Sequence, residues 1–109
     1  VVNDQVGTPT YVRDLAKALL DIVASGKWQP GVYHYSNEGR ISWYDFAIEI
    51  QRQIGTDCAI VAIPTTAYPT PAVRPAYSVL NKKKIIDVFG VSVPDWKLSL
   101  TDCVSRYRD

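Results

Sequence analysis

The chain has 109 residues, 47% of them hydrophobic and 21% charged, which suits one small globular domain over residues 1–109. Its 12 basic and 11 acidic side chains leave a formal net charge of +1, without the basic excess that nucleic acid or an anionic membrane surface demands. The two cysteines, Cys58 and Cys103, are too few for a disulfide framework and sit in no metal motif. No apolar run reaches membrane-span length, so a cytoplasmic protein with two small buried thiols is expected.

Val1-Val2 reads as the tail of a strand. Gly7 then permits a tight turn, Thr8 suits an N-cap, and Pro9 suits the first helical position. Val12, Leu15, Leu19, Ile22 and Val23 recur at helical spacing, and Gly26 ends that helix. Residues 31–36, with Val32, Tyr33, His34 and Tyr35, predict a short strand, closed by the turn residues Asn37-Glu38-Gly39. Ser42 and Asp45 form a capping box for a second helix with the stripe Phe46, Ala47, Ile50 and Ile54, closed by Gly55.

A β-branched run at 58–63 predicts another strand. The stretch 64–78 holds Pro64, Pro69, Pro71 and Pro75, which excludes a sheet interior and implies an ordered loop carrying Tyr68 and Tyr77. Asn81 caps a third helix that runs to Phe89, before Gly90, and the run Lys82-Lys83-Lys84 reads as its solvated start. A last helix follows Pro94-Asp95, with Trp96, Leu100, Cys103, Val104 and Tyr107 as its stripe. The result is an α/β chain of the mixed α+β kind, mainly helical, with two or three short strands.

The chemistry of the residues taken alone is sparse. The single histidine, His34, reads as a half-buried strand residue, with a catalytic base as the alternative. There is no glycine-rich cofactor turn, no phosphate loop and no paired-carboxylate pattern. Two segments stand out. Residues 4–10 place polar side chains ahead of a helix start, where backbone N–H groups gather; the alternative is a plain capped helix. In 71–78, Arg74 lies between prolines, with a planar fork suited to phosphate or carboxylate; the alternative is a surface arginine in a rigid loop.

In order along the chain, these segments resemble the dTDP-4-dehydrorhamnose reductases of the extended short-chain dehydrogenase/reductase superfamily. The likeness lies in Asp-Gln-x-Gly-x-Pro-Thr at 4–10, continued by Tyr11-Val12-Arg13-Asp14-Leu15-Ala16. It continues in 31–37, in Ser42-Trp43-Tyr44-Asp45-Phe46-Ala47, in Arg74-Pro75-x-x-Ser78-x-Leu80 and in Pro94-x-Trp96. It covers essentially the whole chain.

The resemblance implies a substrate-binding carboxy-terminal lobe of a Rossmann-type reductase that turns dTDP-4-dehydro-L-rhamnose into dTDP-L-rhamnose for cell-surface polysaccharide. NADPH or NADH would be bound by an amino-terminal domain, which together with the Tyr-x-x-x-Lys pair is expected outside this chain; no tyrosine here is followed four residues later by lysine. No catalytic residue is therefore expected here. Gln5, Gly7 and Thr8 would line the cleft edge, with Arg74 near the diphosphate of a dTDP-sugar and Ser78 nearby. The family allows Mg²⁺ in the complete enzyme, without a ligand cluster here to support it; without the Rossmann domain, an exposed apolar patch near Tyr68, Tyr77 and the loop prolines is expected to permit a homodimer. Two other readings stay open: the same lobe of a sugar-nucleotide epimerase or dehydratase, and a non-catalytic regulatory subunit on the same fold.

Overall fold

A computed structural model describes residues 1–108. In chain order it has β1 (Val6–Gly7), α1 (Val12–Ala24), β2 (Ile41–Ser42), α2 (Trp43–Ile54), a 3₁₀ turn (Thr65–Ala67), α3 (Lys83–Phe89) and α4 (Trp96–Arg108). This is the small, mainly helical α+β domain expected, but its strands lie elsewhere. β1 and β2 pair antiparallel, Val6 opposite Ser42 and Gly7 opposite Ile41. Residues 76–78 join the far side of β1: Val6 N–H donates to the Ala76 carbonyl and Ser78 N–H to the Val6 carbonyl, both at 2.8 Å.

The expected strand at 31–36 is irregular and unpaired, and that at 58–63 contributes only a bridge from Ile63 to Val2. β-branched and aromatic residues suit a pleated surface, but a strand exists only where a second backbone accepts its ladder, and no described residue forms a ladder with 31–36. His34 consequently faces solvent instead of lying half-buried.

Helix starts also differ. α1 begins at Val12, four residues beyond Thr8; the Thr8 hydroxyl donates to the Gly39 carbonyl and caps nothing. α3 begins at Lys83, where Asn81 Oδ1 accepts the Lys83 N–H at 3.0 Å, so Lys82 becomes the N-cap. α2 starts as expected: Ser42 Oγ accepts from Asp45 N–H and the Asp45 carboxylate accepts from Ser42 N–H, each at 3.1 Å. Left-handed Gly55 and Gly90 close α2 and α3.

The core is small. Ala18 of α1, Ile85 of α3 and Val91 are buried together, with Ile22, Tyr33, Tyr35, Phe89 and Val93 packed around them. Trp96 meets Phe46 edge-on at 6.0 Å and leaves no room for a Cβ on Gly39, whose φ of 130° already suits glycine. Much of the expected apolar face of α1 (Val12, Leu19 and Val23, with Leu20) is exposed. α4 fully buries only Trp96 and Ser99, so Cys103 is exposed, as is Cys58; neither is the buried thiol expected. The radius of gyration is 16.2 Å, against about 13 Å for a compact domain of this length. The lobe is flat, 20 Å along its shortest axis. No helix among the described residues is long and apolar enough to cross a membrane.

A polar hub replaces apolar packing at the centre. Asn37, expected as a turn residue, is 0% exposed. Its Oδ1 accepts from Tyr11 N–H at 2.7 Å, and its Nδ2 faces the Asp14 carboxylate at 2.7 Å, Ser99 Oγ at 3.0 Å and the Pro94 carbonyl at 3.2 Å. Lys82, expected in solvent, is 6% exposed and donates to the Asn37 carbonyl at 3.2 Å. Starting α3 one residue late turns this ammonium inward, where Ser36 Oγ at 3.4 Å and the Glu38 carboxylate at 3.9 Å compensate it.

Candidate functional site

The fold brings residues 5–9, 41–46 and 74–78 around one cavity of about 250 Å³. β1 is its spine, flanked by β2 on one side and 76–78 on the other, so loops more than sixty residues apart in sequence meet across two short ladders. Gly7 permits that approach, because a Cβ there would lie 2.7 Å from Ser78 Oγ. The polar lining consists of Gln5, Thr8, Ser42, Arg74 and Ser78, and the apolar lining of Val6, Pro9, Ile41, Trp43, Phe46 and Pro75.

Each polar side chain is held differently. Gln5 Nε2 donates to Thr65 Oγ1 at 3.3 Å, and that hydroxyl donates to Asp4 Oδ1 at 2.5 Å. The Thr65 hydroxyl, and then its N–H, hold the Asp4 carboxyl below its ordinary pKa. This chain of bonds orients Gln5 and leaves its Oε1 without a partner among the described residues. Ser78 Oγ is 3.4 Å from the Val6 carbonyl. Arg74 is exposed and makes no hydrogen bond or ion pair to the described residues.

All five residues that the sequence reading selected, Gln5, Gly7, Thr8, Arg74 and Ser78, therefore border one cavity. Sequence reasoning missed Ile41, Ser42, Trp43 and Phe46 as its opposite wall. The available signal was the Ser42–Asp45 capping box, which fixes where Trp43 starts its helix; the two-residue pairing of β1 with β2 has no periodicity to detect. Behind this wall, the Asn37 hub anchors the segment between β1 and α1: Asn37 N–H donates to the Pro9 carbonyl at 3.3 Å and Tyr11 N–H to Asn37 Oδ1. The Tyr11 hydroxyl donates to Asp102 at 2.8 Å; burial first, then that carboxylate, raise the tyrosine's pKa.

Arg74 is the only titratable side chain in the lining. With no carboxylate, histidine, lysine or tyrosine facing it, the cavity can bind and orient a ligand, preferentially an anionic one, but holds no group poised for general acid–base work. Its volume falls below the roughly 300–1,000 Å³ of a typical small-molecule site, consistent with one wall of a larger cleft. The sequence contains no glycine-rich turn to cradle a dinucleotide. Among the described residues, no group of three or more His, Cys, Asp or Glu side chains could hold a metal ion.

Comparison with known proteins gives a consistent picture. A family model described as the RmlD substrate binding domain matches residues 1–109. The chain is 40% identical, over 102 residues, to the spore coat polysaccharide biosynthesis protein SpsK of Bacillus subtilis (strain 168), covering 94% of this chain and 35% of that protein. Its fold is similar to the crystal structure of a dTDP-4-dehydrorhamnose reductase from Clostridium acetobutylicum, with a TM-score of 0.91 and 37% identity over 100% of this chain and 38% of that one. It is also similar to the Bacillus anthracis dTDP-4-dehydrorhamnose reductase solved in complex with NADP, with a TM-score of 0.86 and 30% identity over 97% of this chain and 36% of that one. The chain thus spans little more than a third of the length of these relatives.

Proposed function

The chain belongs to the RmlD substrate-binding domain family, and we propose that it forms the sugar-nucleotide wall of a dTDP-4-dehydrorhamnose reductase. The observation that carries this reading is the convergence of Gln5, Gly7, Thr8, Arg74 and Ser78 on one cavity whose only charge is a cation. In the complete protein, a nicotinamide held by a preceding dinucleotide domain supplies the hydride that reduces the 4-keto group of dTDP-4-dehydro-L-rhamnose. NADPH is the favoured form, in keeping with the NADP bound to the Bacillus anthracis reductase.

The residues of this chain bind and orient. Arg74, without a partner among the described residues, presents its guanidinium to the substrate diphosphate. Gln5, steadied by Thr65, offers Oε1 to a substrate hydroxyl or amide. Gly7 keeps β1 close to Ser78, so that the Thr8 and Ser78 hydroxyls border the same space. The flat shape of the lobe and its exposed apolar residues fit a domain that completes its cleft against another. Similarity to two solved dTDP-4-dehydrorhamnose reductases favours the reductase over an epimerase, a dehydratase or a regulatory subunit.

Calorimetric titration of the complete protein with dTDP, and with UDP as the control, tests the reading. Substitution Arg74→Ala is expected to weaken dTDP by about tenfold or more while leaving NADPH affinity unchanged. Equal dTDP affinity in the two proteins would remove Arg74 from the site, and absence of dTDP binding by the unsubstituted protein would sink the reading itself.

A further inference from the structure

We infer that Trp43 is the stacking platform for the pyrimidine base of the nucleotide, which assigns the apolar wall of the cavity to the base and the Arg74 wall to the diphosphate. The inference rests on the reading of this cavity as part of a sugar-nucleotide cleft. The chain has three tryptophans. Trp96 is buried in the core, and Trp28 lies outside the cavity. Trp43 lines the cavity and is still 56% exposed, so its ring face is open to a ligand there.

The backbone that carries the platform is fixed. Trp43 is the first residue of α2, and its backbone is pinned on both sides. The Ser42–Asp45 capping box fixes the residue before it, and Tyr44 N–H donates to the Val2 carbonyl at 3.0 Å just after it. Phe46, one turn on, lines the same cavity and is braced edge-on by Trp96. An exposed indole on a fixed backbone, beside a lone cation, matches a ligand with a flat aromatic end and an anionic end. Every base has a π-face that an indole can cover, and the diphosphate supplies the charge that Arg74 lacks.

The test uses the complete reductase, titrated calorimetrically with dTDP, with inorganic pyrophosphate, which has no base, and with NADP⁺. Trp43→Ala is expected to weaken dTDP by about tenfold and to leave pyrophosphate and NADP⁺ unchanged, while Trp43→Phe retains most of the affinity. Arg74→Ala, by contrast, weakens dTDP and pyrophosphate together. Unchanged dTDP affinity in Trp43→Ala, equal loss of dTDP and pyrophosphate, or selective loss of NADP⁺ each overturns the assignment. If Trp43→Ala does not fold, tryptophan emission decides the matter: dTDP quenches it in the unsubstituted protein, and the Trp43→Phe variant loses that quench. Persistence of the same quench in Trp43→Phe overturns the inference. A protein that binds dTDP but is indifferent to Trp43 refutes the platform alone; a protein that binds no dTDP refutes the cleft reading beneath it.

Discussion

Around Asn37 the donors and acceptors meet one another inside the protein, whereas the Arg74 guanidinium, on the cavity rim, meets no partner among the described residues. Both regions are polar, and both join segments far apart in sequence. They differ in whether water or a ligand can still reach the polar atoms. Buried groups must be satisfied from within, and among the described residues no buried side-chain nitrogen or oxygen lacks a partner. Exposed groups without partners are the ones free to recognise something else. Polarity alone thus marks neither a site nor a structural element; the state of the hydrogen-bonding valences separates them.

Substitutions at the hub should give the largest effect. Asn37→Ala leaves Tyr11 N–H without its acceptor and takes a shared donor from Asp14, Ser99 and the Pro94 carbonyl, and should destabilise the chain by about 3 kcal/mol, lowering its melting temperature by about 15 °C. A shift of only a degree or so would show that the hub is not the structural centre described here.

An intermediate effect is expected where a charge is satisfied by neighbours on its own helix. Glu49 is held down to a pKa of about 2, from an ordinary 4.5, first by Arg52, whose Nε donates to it at 2.9 Å, and then by Gln53. Because its pKa is depressed on folding, Glu49 contributes stability that is complete above its ordinary value and is lost as pH falls toward about 2. Thermal melts across that acid range should therefore be flatter in Glu49→Gln than in the unsubstituted chain; parallel curves would contradict the pairing.

The smallest effect on stability should come from the open region. Arg74→Ala should leave the unfolding free energy within about 0.5 kcal/mol of the unsubstituted chain, even as it weakens nucleotide binding. A marked loss of stability would mean that Arg74 belongs with Asn37 after all, and the contrast between the two regions would collapse.

Legibility in the sequence followed the same division. The capping box at Ser42, the left-handed caps at Gly55 and Gly90, and the existence of α2, α3 and α4 were readable because each depends on neighbours within a turn or two; the stripe expected on α4 was not, since Cys103 and Tyr107 face solvent. The five cavity residues were readable as a motif in order, without any view of what lay opposite them. Thr8 and Lys82 were misread because their partners, Gly39 and Asn37, lie tens of residues away. Asn37 looked like a turn residue for the same reason.

The order of amino acids by itself determined the mixed, mainly helical class, most of the helices and one polar wall of the cavity, all of which arise from local periodicity, capping and turn chemistry. Only the tertiary structure decided which extended segments became strands, which lysine went inward and which aromatic residue faced the cavity. Those outcomes depend on a second backbone or side chain arriving from a distant part of the chain, and no local pattern encodes its arrival.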